Sequence, residues 1–206
     1  PAAAQMTTES VGSTTAYQAA SGGMYYNHFE ATATVEVNTI ATWLNSNPAE
    51  SAEYFLYEAT TAAGPYSRVY NWAFTSTTSN SIQGSNWVQY NTVVGNHYLV
   101  GVMLDDTNNG PGGLYTFLNA PGTATVSFGN FSGSGSDPYQ ATAPLQYTPP
   151  AFNTTALHRQ NITWVPANYD PVPDAGGPYT TVESNPSVVL DASGTTDVDG
   201  DLDFYA

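Results

Sequence analysis

The sequence predicts an all-β protein, with two antiparallel sheets packed face to face, and three observations predict it. Helical periodicity is nearly absent, short runs of β-branched and aromatic residues recur, and clusters of Gly, Pro, Asn and Ser stand between those runs. Taken in order, strands are expected over Phe29 to Val37, Thr39 to Leu44, Tyr54 to Ala59, Ser67 to Phe74, Trp87 to Thr92 and Tyr98 to Leu104. Further strands are expected over Leu114 to Leu118, Thr123 to Phe128, Thr142 to Tyr147 and Ile162 to Val165. Ala31, Ala33, Val35 and Val37 alternate with Thr32, Thr34 and Glu36, the pattern of a strand with one wet face. Breakers stand at Asn45 to Pro48, Gly64-Pro65, Asn108 to Gly113, Pro121-Gly122 and Gly133 to Pro138.

The organisation follows from these signals. Residues 1–24 read as an N-terminal extension and 25–165 as the sandwich. Residues 166–178, punctuated by Pro166, Pro171, Pro173 and Pro178, read as a linker, and 179–206 as the start of something further. Of the 17 acidic residues, those from Asp170 onward leave the tail more densely charged than the body.

The last stretch, DAGGPYTTVESNPSVVLDASGTTDVDGDLDFYA at residues 174–206, resembles the opening strands of a PKD (polycystic kidney disease) repeat, with Leu190 to Gly194 and Asp197 to Asp201 carrying the likeness. The resemblance implies an incomplete immunoglobulin-like module, of the kind used as a spacer or adhesive unit in secreted and surface proteins. More loosely, residues 25–128 resemble the jelly-roll modules of bacterial secreted and surface proteins, through YFLYEATTAAGPYSRVYN at 54–71 and GNHYLVGVML at 95–104. No catalytic motif travels with that likeness.

Charge excludes several function classes. The chain has two arginines, no lysine and 17 acids in 206 residues, a formal net charge of -15. Affinity for phosphate backbones comes from Lys and Arg, so a nucleic-acid partner is not expected, and an anionic membrane surface would repel the chain. No long apolar run suggests membrane insertion. With 44 Ser plus Thr and 17 Asn, the surface is wetted by neutral polar groups, a composition that points to an extracellular or cell-surface protein. The absence of cysteine removes disulfides, thiolate zinc sites and cysteine nucleophiles. Three Asn-x-Ser/Thr sequons, at Asn130, Asn153 and Asn161, are no more than chance gives at this composition.

Candidate chemistry is sparse. Asp197, Asp199, Asp201 and Asp203 alternate around Gly200 and could wrap oxygen ligands around Ca²⁺, although a solvated turn explains them as simply. Asp105 and Asp106, followed by Asn108-Asn109-Gly110, form a weaker candidate of the same kind. His28, His97 and His158 make no short ligand pair, so a zinc site is not expected. No Gly-x-Ser-x-Gly occurs, and neither Glu30 beside His28 nor Glu50 with Glu53 makes a convincing acid–base pair. Aromatic residues are plentiful, and residues of both parities in one strand cannot all face one core. Some rings are therefore expected at the surface, with Trp72, Trp87, Tyr90 and Tyr115 as candidates for a ligand platform or a subunit interface.

The function expected from these features is noncatalytic: a structural or adhesive protein of a surface filament, sheath or adhesin. Its partners would be further copies of itself or another surface protein, with residues 179–206 available for strand exchange. The rival expectation is a carbohydrate-binding module of a secreted hydrolase, with a glycan as ligand. Apart from calcium, no cofactor is expected.

Overall fold

A computed structural model describes residues 5–13, 18–20, 22–45, 51–76, 81–104, 114–116, 118–138 and 142–167. Residues Gln5–Val165 form one compact unit, and the described residues contain strands but no helix. The strands are β1 (Thr7–Val11), β2 (Gln18–Ala20), β3 (Gly23–Ala31), β4 (Val35–Asn45), β5 (Ser51–Ala59), β6 (Tyr66–Thr75), β7 (Ser81–Gly84) and β8 (Tyr90–Asn91). They continue with β9 (His97–Leu104), β10 (Leu114–Thr116), β11 (Leu118–Asn119), β12 (Ala124–Val126), β13 (Gly129–Pro138), β14 (Gln146–Tyr147), β15 (Leu157–His158) and β16 (Gln160–Pro166).

Two antiparallel sheets make the sandwich. One runs β1-β16-β4-β10-β2, with β7 and β8 also on β4; the other runs β12-β13-β3-β9-β5-β6-β14. Between them lies a core of Val35, Val37, Ile40, Leu44 and Ile162 from the first sheet against Phe29, Tyr54, Leu56, Val100 and Val102 from the second. Alternate residues of β4 reach this core, with the parity changing between Val37 and Ile40.

The expected strand from Phe29 to Val37 is two strands. β3 ends at Ala31 and β4 begins at Val35, in the opposite sheet. Thr32 donates its N–H to Phe128 O at 2.9 Å, which supports the crossing. Because the chain changes sheet there, Ala31 and Val35 both still face inward; the alternation is real and records burial, not continuity. At the N-terminus, β1 pairs with β16 from Thr7↔Trp164 to Val11↔Gln160, so these residues belong to the first sheet.

The run Gly133 to Pro138, read as a breaker, lies within the ten-residue strand β13. Its glycines make room for rings. A Cβ on Gly135 would stand 2.4 Å from the Tyr26 ring, so the Tyr26 side chain lies across the backbone there.

In the second sheet, rings of both parities are buried. β3, β5 and β9 are buried at almost every position, and Tyr25, Tyr26, Tyr54 and Tyr57 are all buried despite their mixed parity. The second sheet is covered on both faces. Its outer side carries Met24, Tyr26, Phe55, Tyr57, Tyr66, Leu99 and Met103 beneath a strap that contributes Ala143, Tyr147 and Phe152. A strand buried on both faces accepts aromatic residues at every position.

Candidate functional site

The strap is fixed to the sheet by charge and hydrogen bonds. Buried Glu53 on β5 accepts the Ala143 N–H at 3.1 Å and Asn71 Nδ2 at 2.8 Å. Arg68, on neighbouring β6, lies 3.8 Å from the same carboxylate and donates to Ala143 O. One of the chain's two cations is thus spent on holding a backbone segment. Tyr57 Oη donates to Pro144 O at 2.6 Å, and Tyr26 and Tyr147 hydroxyls meet at 2.9 Å.

A second carboxylate organises one end of the core. Glu58 accepts from Tyr98 Oη at 2.5 Å, Tyr90 Oη at 2.7 Å and Asn96 Nδ2 at 2.9 Å. Partial burial pushes its carboxyl up and these donors pull it down, and the donors prevail, leaving it below the ordinary value. Tyr90, a candidate for ligand contact, therefore has its hydroxyl engaged in the fold.

Trp72 is half-buried and packs toward the core, its ring 5.2 Å from Phe74, which lies 5.2 Å from Tyr54 in turn. Tyr115 lies on β10 in register with Ala19 and Asn45. Trp87 is 55% exposed. Asp105, Asp106, Asp197, Asp199, Asp201 and Asp203 lie outside the described residues. Of the carboxylate pairs, Glu53 belongs to the strap clamp and Glu50 lies outside the described residues.

The exposed Trp87 marks a rim with unusual chemistry. Residues 81–92 run along β4, from Leu44↔Ser81 to Val37↔Tyr90 and on to the Thr92 N–H on Val35 O at 2.8 Å. Trp43 pairs with Ile82 there while its N–H reaches Arg159 O at 3.2 Å, so this segment forms the margin of the first sheet opposite β16. The register slips by two residues between Gly84 and Tyr90, with Gln89 at φ 52, which is why the expected strand from Trp87 to Thr92 survives only as Tyr90–Asn91. Val93 and Val94, at 51% and 56% exposure, follow.

Beside this rim runs the margin of the second sheet. β6 pairs with β5 on one side; on the other, β14 reaches only Tyr66 and Ser67. Among the described residues, Val69–Thr75 has no strand on its outer side. Tyr70 Oη donates to Asn86 Oδ1, Ser76 Oγ to Gln83 Oε1 at 3.1 Å, and Tyr54 Oη to Gln83 O. The two margins are therefore neighbours. From Val69 to Asn96 the sequence holds no charged residue and no proline. Natural sheet edges are normally guarded by those residues, because unpaired N–H and C=O groups recruit other strands. The opposite side of the sandwich is closed differently: Glu9 on β1 accepts Ser127 Oγ at 2.8 Å and Trp164 Nε1 at 2.9 Å.

Three polar residues meet on the outer face of the second sheet, a grouping that sequence spacing conceals. His28 Nδ1 lies 2.8 Å from Ser132 Oγ, and His28 Nε2 lies 3.2 Å from His97 Nδ1. The order of contacts is that of a nucleophile, a base and an orienting group. Burial, reinforced by the neighbouring His97, lowers His28 to about 4, which makes it a weak base for activating Ser132.

No family model matches this chain, and comparison with curated proteins finds no match.

Proposed function

We propose that this chain is a noncatalytic structural or adhesive module of an extracellular surface assembly, joining its neighbours through the paired margins formed by Val69–Thr75 and residues 81–94. The observation that carries this reading is the uncharged, proline-free run from Val69 to Asn96 along both margins, with Trp87, Val93 and Val94 exposed beside it. Strand addition supplies main-chain hydrogen bonds, and large exposed apolar side chains add buried area, so a margin of this kind favours a neighbouring strand. A net charge of -15 opposes association in general. The run from Val69 to Asn96 itself adds no charge to that repulsion.

The PKD-like tail agrees with the same reading. If residues 179–206 supply strands to a neighbour, a rim without charged guards is a suitable acceptor. Sedimentation of the full chain and of a chain carrying Ala73→Lys and Trp87→Lys tests the proposal. The parent should self-associate and the double variant should stay monomeric; equal behaviour of the two would refute the rim as the joint.

Trp87 also keeps the carbohydrate-binding reading alive, since an exposed indole can stack on a sugar ring. Trp72 and Tyr90 face the core, so such a site would need rings other than these beside Trp87. Glycan binding that disappears in Trp87→Ala while the chain remains monomeric would favour that alternative.

A further inference from the structure

We infer that His28 and His97 form a two-histidine site for a divalent transition cation such as Zn²⁺, with water completing the coordination. The residues are 69 apart in sequence, and the pairing of β3 with β9 brings them together: Glu30 is in register with His97 and His28 with Leu99. The two rings are nearly parallel, 14° apart, and point nitrogen to nitrogen at 3.2 Å. Two metal–nitrogen bonds of about 2.0–2.1 Å spanning that separation subtend roughly 100° at the metal, close to the tetrahedral angle. The cation would take the place of the hydrogen bond between the two nitrogens.

Three further observations support the site. His28 contacts Ser132 through its other nitrogen, Nδ1, and a partner on the non-ligating nitrogen is what fixes the tautomer of a metal-bound histidine. The His28 ring is held in place, stacked at 4.4 Å on Phe152 of the strap and edge-on to Tyr66 at 6.5 Å. His97 is only partly buried, which gives a cation a way in. Imidazole ligands suit Zn²⁺, Cu²⁺ and Ni²⁺ and not the hard cations that an Asp-rich turn would select. Among the described residues no group of three or more His, Asp or Glu side chains forms a metal cluster, so the protein supplies two ligands here.

Calorimetric titration of the full chain with Zn²⁺ at pH 7.5, with Mg²⁺ as the control cation, tests the site. One Zn²⁺ per chain should bind without Mg²⁺ competition and raise the melting temperature. It should also shift the His28 Nε2 and His97 Nδ1 resonances. His97→Ala, at a partly exposed position, should abolish the event while the protein stays folded, and Ser132→Ala should weaken it by about tenfold through loss of the orienting contact. Zn²⁺ binding that persists in His97→Ala would assign the cation to surface carboxylates and overturn the inference. Absence of binding by the parent chain would overturn it equally.

Discussion

Asn27 and His158 are joined as two strands are joined. Asn27 Oδ1 accepts the His158 N–H at 2.8 Å, and its Nδ2 donates to His158 O at 2.9 Å and to Gln160 Oε1 at 2.8 Å. Gln160 Nε2 continues the chain to Val100 O at 3.0 Å. One side chain on β3 thus stands in for a missing strand and ties the second sheet to β15 and β16. All these groups are buried, so each bond satisfies an atom that would otherwise be stranded.

Asn27→Ala should therefore be costly beyond its size. It removes one buried partner each from the His158 N–H, the His158 O and the Gln160 side-chain carbonyl, a loss of about 3 kcal/mol. Urea unfolding measures it, and a loss under 1 kcal/mol would mean that water replaces the amide.

Gly135→Ala should destabilise the fold by about 1–3 kcal/mol, because its Cβ meets the Tyr26 ring at 2.4 Å. Trimming Tyr26 to Ala should relieve part of that cost. A double-mutant cycle reads the coupling, and strictly additive losses would show that the two residues do not compete for the same space.

Much of the fold is legible in the sequence for a simple reason: β5 and β9 are built on apolar runs, Tyr54–Tyr57 and Tyr98–Leu104, and such runs announce buried strands. Other elements are concealed because the decisive fact lies elsewhere in the chain. Gly135 reads as a loop until the Tyr26 ring is seen lying on it. Ala31 and Val35 share a pattern while belonging to different sheets. Tyr26 and Tyr57 could be placed inside only once the strap over Ala143 to Phe152 is known. The candidate sites follow the same rule: exposed Trp87 was visible among the aromatics, whereas the meeting of His28 with His97 depends on the register of β3 and β9, which no local spacing encodes.

Removing Arg68 should loosen the strap. In Arg68→Ala the Glu53 carboxylate stays buried without its cation, and the Ala143 carbonyl loses its donor. Losing one partner of a largely buried carboxylate and one donor to a carbonyl in this way costs about 1–3 kcal/mol. Limited proteolysis should find new cleavage within residues 142–155, and Arg68→Ala cleaved no faster than the parent chain would contradict the clamp.

Acid should weaken the metal-free protein over a defined interval. Burial lowers both His28 and His158 to about 4, against an ordinary value of 6.5. The unfolded chain therefore takes up these protons first. The stabilisation is fully present above about pH 6.5, falls as pH drops, and is lost by about pH 4, on the order of 3 kcal/mol for each ring. Urea midpoints measured in EDTA between pH 7.5 and 4 would trace the fall; a flat profile would mean that both rings titrate normally.

Electron microscopy of the full chain at rising concentration, beside the Ala73→Lys, Trp87→Lys variant, tests the assembly reading most directly. Ordered polymers or discrete oligomers from the parent, absent from a variant of unchanged melting temperature, are the predicted result. Parent protein that remains as single particles at every concentration would contradict it.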